Sequence, residues 1–306
     1  MYVLETKNLT KRYNLYNAVD HVNMHIEKGD IYGFVGENGA GKTTIIRMIT
    51  GIANPTEGDF ELFGVNNNSK EIANAKKKLA GIVEAVSINT NMTAKDNLKY
   101  QAMISGKKLT NDEINQLLKR VGLNVDAIEK KNVGSFSLGM RQRLGIAITL
   151  INEPEFIILD EPMNGLDPKG FIEIRDVILE LNKEGITFLI SSHILSELDK
   201  ICNKIGFISH GKLMKELSID ELHNQSKSRI AIEALELDKL FNLLKDSLSL
   251  NEIKIDGNEL LIFDDVDIND ILKVIVNNDF KIKNIAKLED NIETYYMKLI
   301  GGALND

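Results

Sequence analysis

The sequence is short of the residues that cross-link a chain or carry it through a membrane. It has 306 residues with one cysteine, four prolines and no tryptophan, so Cys202 has no partner for a disulfide within the chain. The longest apolar stretch, around residues 144 to 151, is far below the roughly 18 residues that span a bilayer. The first residues show no charged leader followed by an apolar stretch. We therefore expect neither a signal peptide nor a membrane span.

Positive charge is also scarce. The chain has 37 lysine and arginine residues against 45 aspartate and glutamate residues, which gives a formal net charge of −8. Nucleic-acid binding depends on neutralising phosphates, so we expect no nucleic-acid partner. Hydrophobic residues make up 43% of the chain, which is ordinary for a protein with a packed core. The length suits one large domain or two unequal ones.

A glycine-rich stretch near the N-terminus carries the strongest signal, because it fits the pattern G-x-x-x-x-G-K-[ST] of phosphate-binding loops. Residues 31 to 35 predict a buried strand before it, and residues 44 to 49 predict a helix after it. Backbone N–H groups at such a helix start bind anions. We expect Lys42 to face the β- and γ-phosphates and Thr43 to bind Mg²⁺. The expected nucleotide-binding residues are Gly36, Glu37, Asn38, Gly39, Ala40, Gly41, Lys42, Thr43 and Thr44.

Two further apolar runs end in polar side chains. Residues 156 to 159 predict a strand buried on both faces, which Asp160 and Glu161 end. Residues 186 to 190 predict another buried strand, which delivers His193 to the same edge of the sheet. Adjacent carboxylates at the end of a buried strand are costly unless they are used. We expect Asp160 to bind Mg²⁺ and Glu161 to accept a proton.

Two candidate positions allow two interpretations each. Tyr13 precedes the strand of the phosphate-binding loop, where its ring can stack on adenine, and an ordinary surface tyrosine is the alternative. Ser137 and Gly139 stand at the start of a predicted helix that runs to about Ile151. That helix start is a second ready-made anion site, and ordinary N-capping by serine is the alternative.

With these pieces assembled, the chain resembles the ATP-binding subunit of an ABC transporter over about residues 1 to 215. The segment Phe-Ser-Leu-Gly-Met stands at the family's signature, the strand ending in Asp160-Glu161 matches Walker B, and His193 matches the switch histidine. Tyr13 falls where the family has its adenine-stacking aromatic residue. The segment Gly165-Leu166-Asp167-Pro168 matches the family's D-loop. The resemblance also implies that the signature and the D-loop contribute to nucleotide binding through Ser137, Leu138, Gly139, Met140 and Asp167.

Two departures from the family pattern are informative. Leu138 and Met140 stand where Gly and Gln are usual, and Glu84 stands where the family has a Gln that touches Mg²⁺ and senses the membrane partner. A carboxylate is a harder ligand than an amide oxygen, so Glu84 is a candidate metal ligand beside Thr43 and Asp160. Both departures resemble the subgroup that exports bacitracin and lantibiotic peptides for resistance or self-protection. The same signature form also occurs in other exporters.

The resemblance implies ATP hydrolysis coupled to transport, with ATP and Mg²⁺ as cofactors. Glu161 would be the general base and His193 would sense the γ-phosphate. A single loop and a single signature imply a homodimer or a paired cassette in the ATP-bound state. A separate transmembrane permease would hold the chain on the cytoplasmic face of the membrane.

Other classes of ATPase remain as alternatives. The chain could serve a different exporter, or be a regulatory ABC ATPase that transports nothing. Translation-factor ATPases usually carry two cassettes, and DNA-repair ATPases carry a long heptad insertion; neither feature is visible. A cassette that has lost the ability to hydrolyse ATP is another alternative. The sequence argues against it, because it retains Lys42, Asp160, Glu161 and His193.

These patterns predict an α/β fold for residues 1 to 217. We expect a P-loop NTPase core of the ABC ATPase type with an antiparallel β subdomain. Helical spacing at residues 93 to 104 and 111 to 121 predicts a helical insertion. Asn111 is the expected N-cap of its second helix.

Residues 218 to 306 predict a small accessory α+β domain. From residue 229 the apolar pattern gives strand, helix, two strands joined at Asp256-Gly257-Asn258, helix and strand. This order is that of the ferredoxin-like split unit, and a terminal helix is expected at about residues 288 to 300. We assign this domain no chemistry, and both a stabilising and a regulatory role remain open.

Overall fold

The computed structural model describes residues 1–85, 87–225 and 228–289. The chain divides into two compact units, Met1–Ile219 and Asp220–Asp306. The boundary expected from the sequence, between residues 217 and 218, lies two residues before this division. Within the described ranges, no helix has the length and apolar character needed to cross a bilayer.

The first unit combines two sheets with helices on both sides. Its strands are β1 (Tyr2–Tyr13), β2 (Tyr16–Val22), β3 (His25–Glu27), β4 (Ile31–Val35), β5 (Glu57–Leu62), β6 (Val65–Asn66), β7 (Leu79–Ile82), β8 (Phe156–Asp160), β9 (Thr187–Ser192), β10 (Lys204–Ser209) and β11 (Lys212–Ser218). Its helices are α1 (Lys42–Thr50), α2 (Ile72–Lys76), α3 (Ala94–Ile104), α4 (Asn111–Arg120), α5 (Val125–Ile128), α6 (Leu138–Thr149), α7 (Pro168–Lys183) and α8 (Leu195–Leu198).

The larger sheet has the strand order β11-β10-β4-β9-β8-β7, and only the pair of β10 with β11 is antiparallel. Strands β4, β8 and β9 are buried along their whole length, as their continuous apolar runs predict. In register, Val35 lies opposite Ser192, and Asp160 lies opposite Ser191. The ends of these three strands therefore meet at one edge of the sheet, where their polar side chains come together.

The smaller, antiparallel sheet is built around β1, which pairs with β2, β3 and β5. Its inward-facing residues Leu4, Leu9 and Phe60 belong to the same hydrophobic core as Phe34 and Ile46. This core connects the antiparallel sheet to the strand and the helix that flank the phosphate-binding loop. Both sheets thus confirm the ABC ATPase type of fold.

The helical insertion consists of α3, α4 and α5, but one predicted cap is wrong. The N-cap of α4 is Thr110, and Asn111 is the first helical residue. The Thr110 side chain accepts a hydrogen bond from the Glu113 backbone N–H, and the Glu113 carboxylate accepts one from the Thr110 N–H. This reciprocal capping box satisfies two N–H groups at once, which a cap at Asn111 would not achieve.

A buried hydrogen bond joins the strand of the phosphate-binding loop to β11. The Tyr32 hydroxyl donates to Glu216 at 2.8 Å, and the Glu216 carboxylate also accepts from the backbone N–H of His25 at 2.9 Å. Burial, followed by the charge of Glu216, holds the pKa of Tyr32 well above its usual value. Gly206 makes room for this ring, because a Cβ there would lie 2.0 Å from the tyrosine oxygen.

The second unit has its own sheet and its own core. Helix α9 (Ile219–Gln225) runs across the division of the chain. The remaining elements are β12 (Ser228–Ala234), α10 (Leu237–Leu248), β13 (Ile253–Asp256), β14 (Glu259–Ile262), α11 (Ile268–Asn277) and β15 (Ile282–Glu289).

The strand order β13-β14-β12-β15, with each neighbouring pair antiparallel, confirms the predicted ferredoxin-like arrangement. Alternate strand residues such as Ile232 and Leu260 pack against Leu240 of α10 and Ile271 of α11. The expected terminal helix lies outside the described residues, except for residues 288 and 289, which belong to β15.

We expect the second unit to unfold separately from the first. Leu240 is completely buried, so Leu240→Ala should lower the stability of this unit by about 2–5 kcal/mol. Leu235→Ala is the matched control, because Leu235 is 80% exposed. Urea denaturation followed by circular dichroism should show one transition shifted by Leu240→Ala and none by the control, with ATP affinity unchanged in both. An equal loss of ATP affinity and of helix signal would contradict this prediction.

Candidate active site

The phosphate-binding loop depends on a glycine in the left-handed conformation and on hydrogen bonds from Lys42 to the loop's own carbonyl oxygens. Gly41, directly before α1, has φ of 111°, a left-handed conformation that favours glycine. A Cβ at this position would also lie 2.6 Å from the carbonyl oxygen of Ala18. Lys42 is only 5% exposed, and its ammonium donates to the carbonyl oxygens of Gly36 at 2.6 Å and Glu37 at 3.2 Å. The loop therefore surrounds a fixed positive charge at a helix N-terminus, which favours phosphate.

Asp160 links three elements at this edge of the sheet. The Thr43 hydroxyl of α1 donates to Asp160 Oδ2 at 2.9 Å, and the Ser191 hydroxyl of β9 donates to Asp160 Oδ1 at 2.6 Å. Asp160 is buried. The structure thus brings together two of the three predicted metal ligands, although they are 117 positions apart in sequence.

The pair Thr43 and Asp160 fits Mg²⁺ by its chemistry, because a hydroxyl and a carboxylate are hard oxygen donors. The described residues contain no group of three or more His, Cys, Asp or Glu side chains arranged to hold a metal. A site with only two protein ligands suits Mg²⁺, which keeps several waters and uses phosphate oxygens of the substrate. ATP would therefore supply part of the coordination.

Glu161 stands between two cationic or hydrogen-bonding partners. Its Oε1 lies 3.3 Å from the Lys42 ammonium, and its Oε2 lies 2.8 Å from His193 Nδ1. Its backbone N–H donates to the Ser191 hydroxyl at 2.9 Å and holds the residue at φ of 50°. A left-handed conformation is strained for a residue other than glycine and recurs at functional sites. Glu161 and His193, both predicted from the sequence, are therefore in direct contact.

The pocket beside the phosphate-binding loop is lined by Tyr16 and not by Tyr13, the aromatic residue expected from the sequence. It has a volume of about 330 Å³, and its lining includes Tyr16 and Ala18 together with loop residues and Glu161, but not Tyr13. Tyr13 pairs with Tyr16 across the tip of the β1–β2 hairpin, and its half-exposed ring lies 5.2 Å from the Lys11 ammonium. Tyr16 was not predicted, since only the hairpin register brings it toward the loop.

The signature and the D-loop form a second pocket, of about 460 Å³. Ser137 caps α6, accepting from the Met140 N–H at 3.2 Å, and Asp167 caps α7, accepting from the Gly170 N–H at 2.8 Å. Leu138 and Gly139 line this pocket too. The structure does not bring these signature and D-loop residues to the pocket of the phosphate-binding loop within one chain.

Glu84 forms an ion pair with Arg47 of α1. It has φ of 63°, and its side chain is more than half exposed. Arg47 lies one helical turn beyond Thr43, so the carboxylate is held near the P-loop helix but not on Thr43 or Asp160. No sequence pattern pointed to Arg47 as the partner, because the contact joins residues 37 positions apart.

Glu197 is a further acidic residue that the sequence analysis did not select. Its Oε2 is buried and has no hydrogen-bond partner among the described residues. Burial raises the pKa of its carboxyl, the charge of His193 opposes the shift, and the charge of Glu161 adds to it. The only signal in the sequence was the spacing of four residues between His193 and Glu197, since α8 begins two residues after His193.

Comparison with known proteins identifies the family. The model of the family described as "ABC transporter" matches residues 19–164. The bacitracin transport ATP-binding protein BcrA of Bacillus licheniformis is 41% identical, and the similarity covers 98% of each chain. The chain belongs to the ABC transporter family. As an ATPase of this family it binds and hydrolyses ATP, in agreement with the loop and with the Asp160-Glu161 strand end.

Other members of the ABC transporter family resemble the chain to different extents. The lantibiotic transport ATP-binding protein SrtF of Streptococcus pyogenes is 42% identical over 72% of this chain and 93% of its own length. Among solved structures, cbiO1 from Clostridium perfringens, part of the transporter complex cbiONQ, is 25% identical with a TM-score of 0.64, over 81% of this chain. The cassette MJ1267 in its ADP conformation has a TM-score of 0.66 at 24% identity, which shows the shared fold.

We expect Glu161→Gln to stop hydrolysis and preserve ATP binding. The amide cannot take a proton from water, so the rate should fall roughly 10²–10⁴-fold, while Lys42 and the loop amides still hold the phosphates. Glu155→Gln is the matched control, since Glu155 precedes the start of the same strand and pairs with Lys78. Phosphate release and equilibrium ATP binding measure the two effects. Near wild-type hydrolysis by Glu161→Gln would refute the general-base role.

Proposed function

We propose that the chain is the ATP-hydrolysing subunit that powers a membrane exporter of antimicrobial peptides of the bacitracin or lantibiotic type, for resistance or self-protection. The observation that carries this proposal is the likeness to BcrA over 98% of both chains. It extends beyond the cassette into the second unit, whereas the likeness to SrtF covers 72% of this chain.

The site geometry supports a specific division of labour. On ATP binding, the Lys42 ammonium exchanges the carbonyl oxygens of Gly36 and Glu37 for the β- and γ-phosphates. Thr43 and Asp160 would hold Mg²⁺, which would supply positive charge to the phosphates. Glu161 accepts the proton of the attacking water, and His193, which contacts Glu161 at 2.8 Å, turns to the γ-phosphate and reports its presence. Tyr13 stacks on adenine as in the family pattern, with Tyr16 as the second aromatic candidate.

The separation of the two pockets supports action as a dimer. Ser137, Leu138, Gly139, Met140 and Asp167 line a pocket that contains none of the phosphate-binding loop. Both helix N-termini at that pocket are suited to a phosphate. We therefore place the signature of one subunit against the ATP held by the loop of a second, in a homodimer or with a paired cassette.

An exposed apolar surface on α3 supports contact with a permease. Tyr100, Met103 and Ile104 are between 45% and 66% exposed, which is unusual for large apolar side chains in one short helix. A transmembrane permease that docks here holds the chain at the cytoplasmic face of the membrane. Glu84 would link this contact to the site, because its carboxylate, released from Arg47, would be available to help Thr43 and Asp160 hold Mg²⁺ near the γ-phosphate.

We assign the second unit, within the proposed domain of residues 218 to 306, no catalytic step. It has a separate core, and no metal-binding group occurs among its described residues. A regulatory or dimer-contact role and a purely stabilising role both fit these features.

Resistance of living cells tests the proposed substrate. Expressed with its permease in a sensitive strain, the wild-type chain should raise the minimum inhibitory concentration of bacitracin or of a lantibiotic, and Lys42→Ala should abolish the effect. Lys28→Ala is the control, because Lys28 lies on the surface and pairs with Glu155. An ATPase that hydrolyses normally but protects against neither class of peptide would favour a different exporter or a regulatory ATPase.

Glu84→Gln should leave nucleotide affinity nearly unchanged and alter the coupling of hydrolysis to resistance. Exposed ion pairs contribute only about 0.2–1 kcal/mol, so losing the contact with Arg47 should not unfold the chain. Arg47→Gln is the matched variant, because it breaks the same ion pair and keeps the acid. The measurement is the resistance obtained per ATP hydrolysed. Comparing the two variants distinguishes an effect of losing the Glu84 carboxylate from an effect of breaking the ion pair. Wild-type resistance with Glu84→Gln would exclude a special role for the carboxylate.

A further inference from the structure

Arg143 of α6 is a buried cation for which the hydrolytic mechanism has no use. It is 8% exposed. One guanidinium nitrogen lies 2.9 Å from the Glu173 carboxylate of α7, and another donates to the carbonyl oxygen of Gly122 at 2.7 Å. Its Nε has no hydrogen-bond partner among the described residues. A buried arginine that lacks one of its hydrogen bonds contributes little to the stability of the fold.

The ion pair occupies equivalent positions on the two helices. Arg143 is the sixth residue after Ser137, the cap of α6, and Glu173 is the sixth residue after Asp167, the cap of α7. At 1.5 Å per residue, both members of the pair stand about 9 Å from their caps. The pair therefore joins the helices at the same height.

A second contact lies closer to the caps. A Cβ on Gly139 would come within 3.5 Å of the Gly170 Cα, and a Cβ on Gly170 would lie 2.9 Å from the Asp167 carboxylate. The helices thus approach closely at the glycines and again at Arg143–Glu173. Two contacts in the same sequence order mean that α6 and α7 run side by side in the same direction. Their N-termini open together into the signature pocket.

We infer that Arg143 and Glu173 are positioning residues that hold the signature and D-loop N-termini as one unit, so that Ser137 and Asp167 reach the partner subunit's nucleotide together. This inference rests on the dimer in the proposed function. Gly122, which follows α4 of the helical insertion, also holds Arg143, because its carbonyl oxygen accepts a hydrogen bond from the guanidinium. Without the ion pair, the helices lose the contact that lies farther from their N-termini, and the relative position of the two caps is less firmly set.

Dimerisation driven by ATP tests the inference. In the Glu161→Gln background, the dimer dissociation constant at saturating Mg²⁺ and ATP is measured by analytical ultracentrifugation. Glu173→Ala should raise this constant about tenfold, since the buried Arg143 loses its carboxylate partner, whose side chain is 34% exposed. The affinity of isolated subunits for ATP should not change, because Glu173 lies outside the loop pocket. Glu173→Gln, which retains an acceptor oxygen for Arg143, should fall between wild type and Ala.

The control is Glu180→Ala on the same helix, whose carboxylate forms a surface ion pair with Lys183. It should alter neither constant. A lower melting temperature of Glu173→Ala with an unchanged dimer constant would overturn the inference and leave Arg143 a structural residue. A tenfold effect that also appears in subunit ATP affinity would overturn it as well. If the Glu161→Gln background itself forms no ATP-dependent dimer, the dimer in the proposed function fails, and the inference fails with it.

Discussion

The carboxylate of Asp160 is the contact on which the nucleotide site depends. It ends β8, accepts from Thr43 at the start of α1, and accepts from Ser191 near the end of β9. A buried carboxylate is tolerated only where hydrogen bonds replace its water. The same contacts that satisfy Asp160 therefore position the phosphate-binding helix against the strand that carries Glu161. The relative positions of Thr43 and Glu161 thus follow from the hydrogen bonds that the buried carboxylate of Asp160 requires.

The charged groups around Asp160 already have partners, so nucleotide binding is an exchange of contacts. Lys42 donates to two loop carbonyls and lies near Glu161, which also contacts His193. Because each new contact replaces an old one, the net free energy of binding is smaller than the sum of the new interactions. In the proposed function, the same exchange releases Glu161 and His193 when ATP binds.

The features that short sequence motifs determine were predicted from the sequence. The features that depend on strand pairing or on contacts between distant residues were missed. The phosphate-binding loop and the strand ending in Asp160 are short segments whose pattern contains the chemistry, and parallel strands bring their ends together. Tyr16 and Arg47 escaped prediction, because their neighbours are set by hairpin pairing and by a contact 37 positions away. The cap at Thr110 was missed by one residue, since Asn and Thr are both good caps and only the reciprocal bond with Glu113 decides.

The hydrogen bond between Tyr32 and Glu216 gives the first unit a mechanical connection. β11 is the last strand before the chain passes into the second unit, and Glu216 fastens it to Tyr32 of β4, four residues before the loop begins at Gly36. Burial and the neighbouring carboxylate raise the pKa of the tyrosine above its usual value, so its hydroxyl remains the donor in this hydrogen bond. β11 is also paired with β10 along its length, so the Tyr32–Glu216 hydrogen bond adds a direct side-chain connection between β11 and the strand that precedes the phosphate-binding loop.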